Sequence, residues 1–357
     1  MTRTLKVSLV TLGDPATMTG GYLYHRRMAA AAPRHAARIR FVSFPPGPWP
    51  LPSAAGRRVV RNAAGADVCV LDSICAALAA PWLNGLSTAV PLAAILHQPP
   101  GGIDHGPVRS VLQQRLDLAA YRRCAALVLA SSALQTSLPS LRRARVVVVP
   151  PGRDPAAAHA PARGLRAGRG AAVLCVGNWM ERKGILSLIE AFAALPVRAA
   201  TLHLVGDPWA APRYGTRVWL TLERLDVMDR VVVHGPVSAA RLQALYRGSD
   251  MFALPSLVEP YGTVYGEAMA NGLPVVGWRA GNLAYLATDG VEGVLVAPGD
   301  IAALSEALLR LCEDARERRR MGEAARRRAE KLPTWEESAR DLFRVLRALS
   351  SSRSGRS

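Results

Sequence analysis

The sequence predicts an α/β protein made of two consecutive doubly wound units, and three observations carry that prediction. Short apolar runs recur at strand spacing, with helix-compatible stretches between them, the pattern of a parallel sheet covered on both faces. The pattern stops sharply at Pro150-Pro151-Gly152 and restarts at Ala171. The length of 357 residues is also enough for about two domains, each with its own core.

In the first half the strand candidates are Leu5–Leu12, Ile39–Phe44, Val68–Leu71, Leu92–Leu96, Ala126–Leu129 and Val146–Val149. Helices are expected between them, for example over Gly21–Ala32 and Val108–Arg123. The stretch that follows, to Gly170, is rich in Ala, Pro, Gly and Arg and has linker composition. In the second half strands are expected at Val173–Val176, Leu202–Val205, Val231–Val233, Met251–Leu254, Val275–Val276 and Val294–Val296. Helices such as Ile185–Leu195, Arg217–Leu225, Ala239–Tyr246 and Tyr265–Ala270 separate them. Residues 301–348 read as strongly helical, and Ser350–Ser357 as a frayed tail. Two such units predict a cleft at their strand C-termini.

Charge separates the halves. Lys and Arg number 45 against 27 Asp and Glu, a formal net charge of +18. Residues 1–170 carry 21 basic and 6 acidic side chains, with no glutamate, and residues 171–357 carry 24 and 21. Different surfaces imply different partners. Only Lys6, Lys183 and Lys331 are lysines, so the basicity reflects a coding bias toward arginine. A lysine kept against that bias points to chemistry that favours a compact ammonium. The five cysteines form an odd set with no Cys-x-x-Cys and read as small buried residues in a reducing, cytoplasmic setting. Ser73 to Ile103 has only apolar and uncharged polar residues, but Pro81, Asn84, Gly85 and Pro91 break it. A helix, a loop and a strand fit it better than a membrane span. The arginines come as scattered pairs without aromatic interleaving, which argues against a nucleic-acid partner.

The chemistry concentrates in Leu254-Pro-Ser-Leu-Val-Glu259-Pro-Tyr-Gly262-Thr-Val-Tyr-Gly-Glu267-Ala-Met-Ala-Asn-Gly272-Leu-Pro274. A strand ends near Leu254, a loop carries Glu259, and a helix begins near Thr263, which is placed to cap it. Such a helix start offers free N–H groups and the positive end of a dipole to a phosphate. Glu267 lies roughly 6 Å along the axis, with its side chain leaning back toward that start. Two carboxylates thus flank one anion site.

A Glu, seven residues, and a second Glu followed by Ala-Met-Ala and Gly-x-Pro-Val resembles the signature of family 4 glycosyltransferases. These are retaining enzymes of the GT-B fold, in which two Rossmann-like domains face a central cleft. The resemblance covers the second half and continues more weakly through the first. It implies that Glu267 binds the nucleotide ribose and that Glu259 contacts the donor sugar. It also implies that the backbone of Gly262, Thr263 and Val264 meets the donor's phosphates or sugar. In Val176-Gly177-Asn178-Trp179-Met-Glu-Arg182-Lys183-Gly184, Lys183 matches a family lysine that neutralises the leaving diphosphate. Asn178 stands where the family has an arginine. Arg182 is adjacent and able to compensate, although neighbours at a helix start point in different directions. Gly20 and Gly21 match a glycine pair near donor phosphate and acceptor, and His97 a histidine close to the transferred sugar.

The resemblance divides the chain into an N-terminal acceptor-side domain over 1–155, a linker over 156–170 and a nucleotide-sugar domain over 171–332. A helix over 333–349 is expected to pack back on the first domain, with a flexible tail over 350–357. The implied activity is retaining transfer of a sugar from a nucleotide diphosphate sugar to a glycan, lipid-linked or small-molecule acceptor. The alternative is a non-catalytic nucleotide-sugar-binding subunit, motivated by Asn178. The sequence contains no Asp-x-Asp pair to hold a metal, so no metal or other cofactor is expected. Glu259, Lys183 and His97 are the candidate catalytic residues. Gly20, Gly21, Asn178, Arg182, Lys183, Gly262, Thr263, Val264 and Glu267 are the candidates for donor binding. An anionic membrane surface is a further expected partner of the basic N-terminal domain.

Overall fold

A computed structural model describes residues 3–16, 20–84, 90–141, 144–154 and 160–354. The chain divides into two units, Met1–Gly152 with Pro333–Ser357, and Arg153–Leu332.

The first unit contains β1 (Leu5–Leu12), β2 (Ala37–Phe44), β3 (Val68–Asp72), β4 (Leu92–Leu96), β5 (Ala126–Leu129) and β6 (Arg145–Val148). Among the described residues they form one six-stranded sheet in the order β2-β1-β3-β4-β5-β6, and every pairing is parallel. β3, β4 and β5 are buried along their whole length, as the apolar runs of β4 and β5 and of Val68–Leu71 in β3 require. Successive side chains alternate between two cores. Cys69, Leu71, Leu127 and Leu129 face a layer that includes Val59 and Val60 of the helix Gly56–Ala63 and Tyr121 of the helix Pro107–Tyr121. Val68, Val70, Ala126 and Val128 face the other, with Tyr24 and Met28 of the helix Gly20–Ala31.

The helix Trp335–Ser354 completes that second face, contributing Ala339, Leu342, Phe343 and Leu346. Its polar contacts fix it at two further places. The Ser338 hydroxyl donates to the Pro150 carbonyl at 2.7 Å, and Arg347 donates to the Ala36 carbonyl at 2.9 Å. The helix runs beyond residue 349, through part of the segment expected as a frayed tail, because its apolar face stays covered as far as Leu349. Residues 355–357 lie outside the described residues.

The second unit repeats the plan with β7 (Ala171–Val176), β8 (Ala200–Val205), β9 (Val231–Gly235), β10 (Met251–Ala253), β11 (Val275–Trp278) and β12 (Gly293–Val296). Among the described residues these form a parallel sheet in the order β12-β11-β10-β7-β8-β9. The expected linker over 156–170 needs correction where it is described. Leu165 is buried in the core of this unit, and the Ala162 amide donates to the Ala244 carbonyl at 2.8 Å. Arg166 pairs with Asp250 and Arg169 with Asp229. Composition alone cannot reveal these partners, which lie 60 and more residues away. Residues 155–159, which include the expected boundary, lie outside the described residues.

All five cysteines are buried and free. Among the described residues the uncharged run from Ser73 includes the short helix Ala76–Ala79, a 3-10 turn at Ala80–Trp82 and β4, while residues 85–89 lie outside them. Among the described residues no helix is long and apolar enough to cross a membrane.

Phe343 is 2% exposed and stacks on His35. Truncation there should cost about 3–5 kcal/mol of unfolding free energy. Equilibrium urea unfolding of Phe343→Ala checks this, and a loss below about 1 kcal/mol would show the helix to be dispensable.

Candidate donor site and the glycine–histidine pocket

In the second unit the chain leaves β10 and turns through residues 254–262 into the helix Thr263–Ala270. Gly262 ends that loop with φ +78°, a conformation that a Cβ disfavours. A Cβ there would also stand 2.6 Å from the Tyr265 ring and 3.2 Å from Glu259 Cγ. The helix consequently starts on a glycine, without a side-chain cap. Thr263, expected as the cap, is the first helical residue instead. Its backbone N–H belongs to the first turn, where no intrahelical partner exists. On the other side Gly281, at φ +54°, lies against the Glu259 backbone, and Asn282 donates its amide to the Glu259 carbonyl at 2.9 Å.

Lys183 forms an ion pair with Glu259 Oε2, and Arg182 Nη1 is 3.9 Å from the same oxygen. The expected divergence of these two neighbours does not occur. Glu181–Lys183 is a 3-10 turn preceding the helix Ile185–Ala193, so neither side chain lies on that helix. The turn is tied to the loop of residues 254–262. Leu257 N–H and the Ser256 hydroxyl both donate to the Arg182 carbonyl, at 2.8 and 3.0 Å, while Arg182 donates to the Val258 carbonyl at 3.1 Å. Lys183 is only 9% exposed. A buried ammonium needs its carboxylate, and removing either partner strands the other charge.

Glu267, one turn into the helix, accepts a hydrogen bond from the Tyr246 hydroxyl at 3.0 Å. Burial raises its carboxyl to about 7, with Asp154 adding to the rise and Tyr246 opposing it. Val264 neighbours the same tyrosine through its carbonyl, 3.4 Å from the hydroxyl. Asn178 Oδ1 accepts the Asp207 amide at 3.0 Å, so its carboxamide braces the turns after β7 and β8. The second unit therefore gathers Lys183, Arg182, Glu259 and the start of the helix bearing Glu267. Its positive groups suit an anion, and its carboxylates suit hydroxyls.

The first unit brings together a different set. The helix Gly20–Ala31 begins at Gly20, and a Cβ on Gly21 would lie 3.4 Å from the His97 ring. His97 follows β4, and its backbone amide donates to the Ser73 hydroxyl at 3.1 Å. Burial and the neighbouring His25 pull its imidazole down to about 3, against the influence of Asp72. It is therefore neutral at physiological pH and acts through its ring nitrogens as a hydrogen-bonding group. Asp72 and His25 were not singled out in the sequence. Asp72 ends β3, accepts from Thr11 Oγ1 at 2.9 Å and stands 2.9 Å from His25 Nε2. Burial would raise its carboxyl, but His25 and His97 hold it down at about 2. One ligand-type atom from each of His25, Asp72 and His97 falls within 4.8 Å of the others. An acidic residue closing an otherwise apolar strand was the available signal for Asp72. His25, in phase with Gly21 one helical turn earlier, was the signal for the rest.

Comparison with solved structures identifies the fold. The sucrose-phosphate synthase of Thermosynechococcus elongatus superposes with a TM-score of 0.80 at 21% identity, over 98% of this chain and all of that one. Anabaena HepE, solved with UDP-glucose, gives 0.78 at 20% identity, over 96% and all of that chain. The fold is of the GT-B type, two Rossmann-like units in one chain. Residues 161–328, within the second unit, match the family described as glycosyl transferases group 1. Among similar proteins, a D-inositol 3-phosphate glycosyltransferase of Xylanimonas cellulosilytica is 34% identical over 213 residues, 56% of this chain and 51% of its own length. An MMP alpha-(1->4)-mannosyltransferase of Mycolicibacterium hassiacum is 35% identical over 165 residues, 46% of this chain and 39% of its own. The chain spans about half the length of the relatives it matches.

The raised Glu267 carboxyl sets the sign of a pH effect. Between the ordinary carboxyl value near 4.5 and about 7 the folded protein binds more protons than the unfolded chain. Its stability therefore falls as pH rises through that window. Glu267→Gln removes this share, so melting temperatures should move in the variant's favour from pH 5 to pH 8. A difference between the two proteins that is the same at both pH values would contradict the assignment.

Proposed function

We propose that the chain is a retaining glycosyltransferase that moves a sugar from a nucleotide diphosphate sugar to a glycan, lipid-linked or small-molecule acceptor. The observation that carries this reading is the buried Lys183–Glu259 pair beside the start of the helix bearing Glu267, within a group 1 unit. UDP and UDP-glucose in the HepE structures support a nucleotide-sugar donor.

In this reading the donor's diphosphate takes Lys183 from Glu259. The ammonium, Arg182 and the N–H groups of Gly262, Thr263 and Val264 then stabilise charge on the departing phosphate oxygen. Glu259, released from its ion pair, accepts hydroxyl groups of the transferred sugar. Glu267 accepts the ribose hydroxyls, which favours its ionised form and hence donor binding above pH 7. His97, being neutral, contributes a hydrogen bond to the sugar rather than a proton, and Gly20 and Gly21 leave the backbone open beside it. Asn178 takes a bracing role. Protein cations supply the positive charge, so we take the reaction to be metal-independent. Departure and attack on one face of the sugar account for retention without a carboxylate nucleophile. We place the protein in the cytoplasm, with its basic first unit suited to the inner face of the membrane where the acceptor is lipid-linked.

A donor panel with mass spectrometry of the products tests the activity, and NMR of the product's anomeric proton tests retention. Lys183→Met and Glu259→Ala should each lower kcat by about 10²-fold or more. Either variant turning over at the wild-type rate would remove the assignment. UDP bound without transfer or donor hydrolysis across the panel would make the chain a binding subunit instead.

A further inference from the structure

Three side chains meet in the first unit from separate elements: His25 from the helix Gly20–Ala31, Asp72 from the end of β3, and His97 from the loop after β4. Asp72 and His97 line a cavity of about 360 Å³ that also contains Gly21, and His25 is fully buried beside them. A ring nitrogen of each histidine and a carboxylate oxygen of Asp72 lie within 4.8 Å of one another. The reaction proposed above uses only His97 of the three, and three observations ask for a ligand common to all.

The first is unmet hydrogen bonding. Both ring nitrogens of His25 and Nε2 of His97 are buried without a hydrogen-bond partner. His25 Nε2 stands 2.9 Å from Asp72 Oδ2, yet the contact is not aligned as a hydrogen bond. Buried polar groups are nearly always satisfied, so nitrogens gathered at one carboxylate without bonding to it mark a place for a group that binds all three.

The second is charge. Asp72 is 3% exposed, and among the described residues its one ion pair is with His25, which is cationic only when protonated. A buried carboxylate needs a positive partner, and neutral imidazoles supply none. A metal ion supplies that charge and takes the imidazole lone pairs at the same time.

The third is the support behind the carboxylate. The Thr11 hydroxyl donates to Asp72 Oδ2 at 2.9 Å, and the Ile74 amide donates to Oδ1 at 3.2 Å. Outer hydrogen bonds of this kind hold a ligating carboxylate in position. The two imidazoles meet edge to face, with centroids 4.8 Å apart and planes at 74°.

We propose that His25, Asp72 and His97 form a zinc-binding site, with three protein ligands and a fourth position open to the cavity. Two imidazoles and a carboxylate are a ligand set that zinc takes in this way. Zinc bonds of about 2.0–2.1 Å place tetrahedral ligands about 3.4 Å apart, so binding asks for a contraction of about 1 Å. The metal clamps the first helix, β3 and the loop after β4 to one another. The transfer proposed above needs no metal, and the site stands independently of that reading.

Isothermal titration of the purified, EDTA-stripped full chain with ZnCl₂ tests the site, with MgCl₂ as the control. One zinc per chain should bind with a Kd of about 1 μM or tighter and raise the melting temperature. Magnesium, which prefers oxygen ligands, should do neither. His25→Leu and Asp72→Asn should each weaken zinc binding by about 10²-fold or more. Thr11→Val keeps all three ligands and the size of the side chain, and should weaken binding about tenfold. It decides the matter if melting of the zinc-free proteins shows the two ligand variants unfolded. Absence of zinc binding by the wild type, or magnesium binding equally well, would overturn the site. So would folded variants that bind zinc like the wild type, since the metal would then be held elsewhere on the chain.

Discussion

Parallel pairing is the constraint on which the rest depends. When every strand of a sheet runs the same way, all the C-terminal ends open on one edge, and each following loop must begin there. The residues with chemistry occupy that edge in both units. Asp72 closes β3, His97 follows β4, and Asn178 and Lys183 follow β7. Asp207 follows β8 and Glu259 follows β10. No single one of these loops makes a site. Each site is assembled from loops that are far apart in sequence and adjacent because their strands are hydrogen-bonded neighbours, as β7 and β10 are.

The two glutamates of one motif show how environment divides a role. Glu259 lies in a loop between glycines and faces an ammonium and a guanidinium. Glu267 lies eight residues on, inside a helix, and faces a tyrosine hydroxyl with another carboxylate nearby. The same side chain is thus tied to cations in one case and inclined to hold a proton in the other.

The strands and the motif were legible from local pattern. Unbroken apolar runs such as Leu92–Leu96 and Ala126–Leu129 announced buried parallel strands, and the structure places strands over those same residues. The Glu–Glu spacing and the retained Lys183 were likewise local. What escaped depended on partners distant in sequence. The 160–170 stretch reads as a linker until Asp250 and the Ala244 carbonyl are known to receive it. Arg182 and Lys183 were expected to diverge because a helix was assumed where a 3-10 turn lies. His25 stayed hidden because an imidazole on a helix carries no signal until Asp72 and His97 arrive from two other strands.

The helix Trp335–Ser354 has a consequence for how the molecule is made. The first unit is interrupted by the second and regains its last helix only after residue 332. Arg153 and the Leu332 carbonyl, at the entry and exit of the inserted unit, are hydrogen-bonded at 3.1 Å. On a ribosome the second unit, contiguous in the chain, can therefore reach its native state before the first. Until the final helix is released, the sheet face holding Leu5, Val7 and Val70 lacks part of its cover. The earlier-synthesised domain is in this sense the later one to finish, with part of its apolar face open until residues 335–354 emerge.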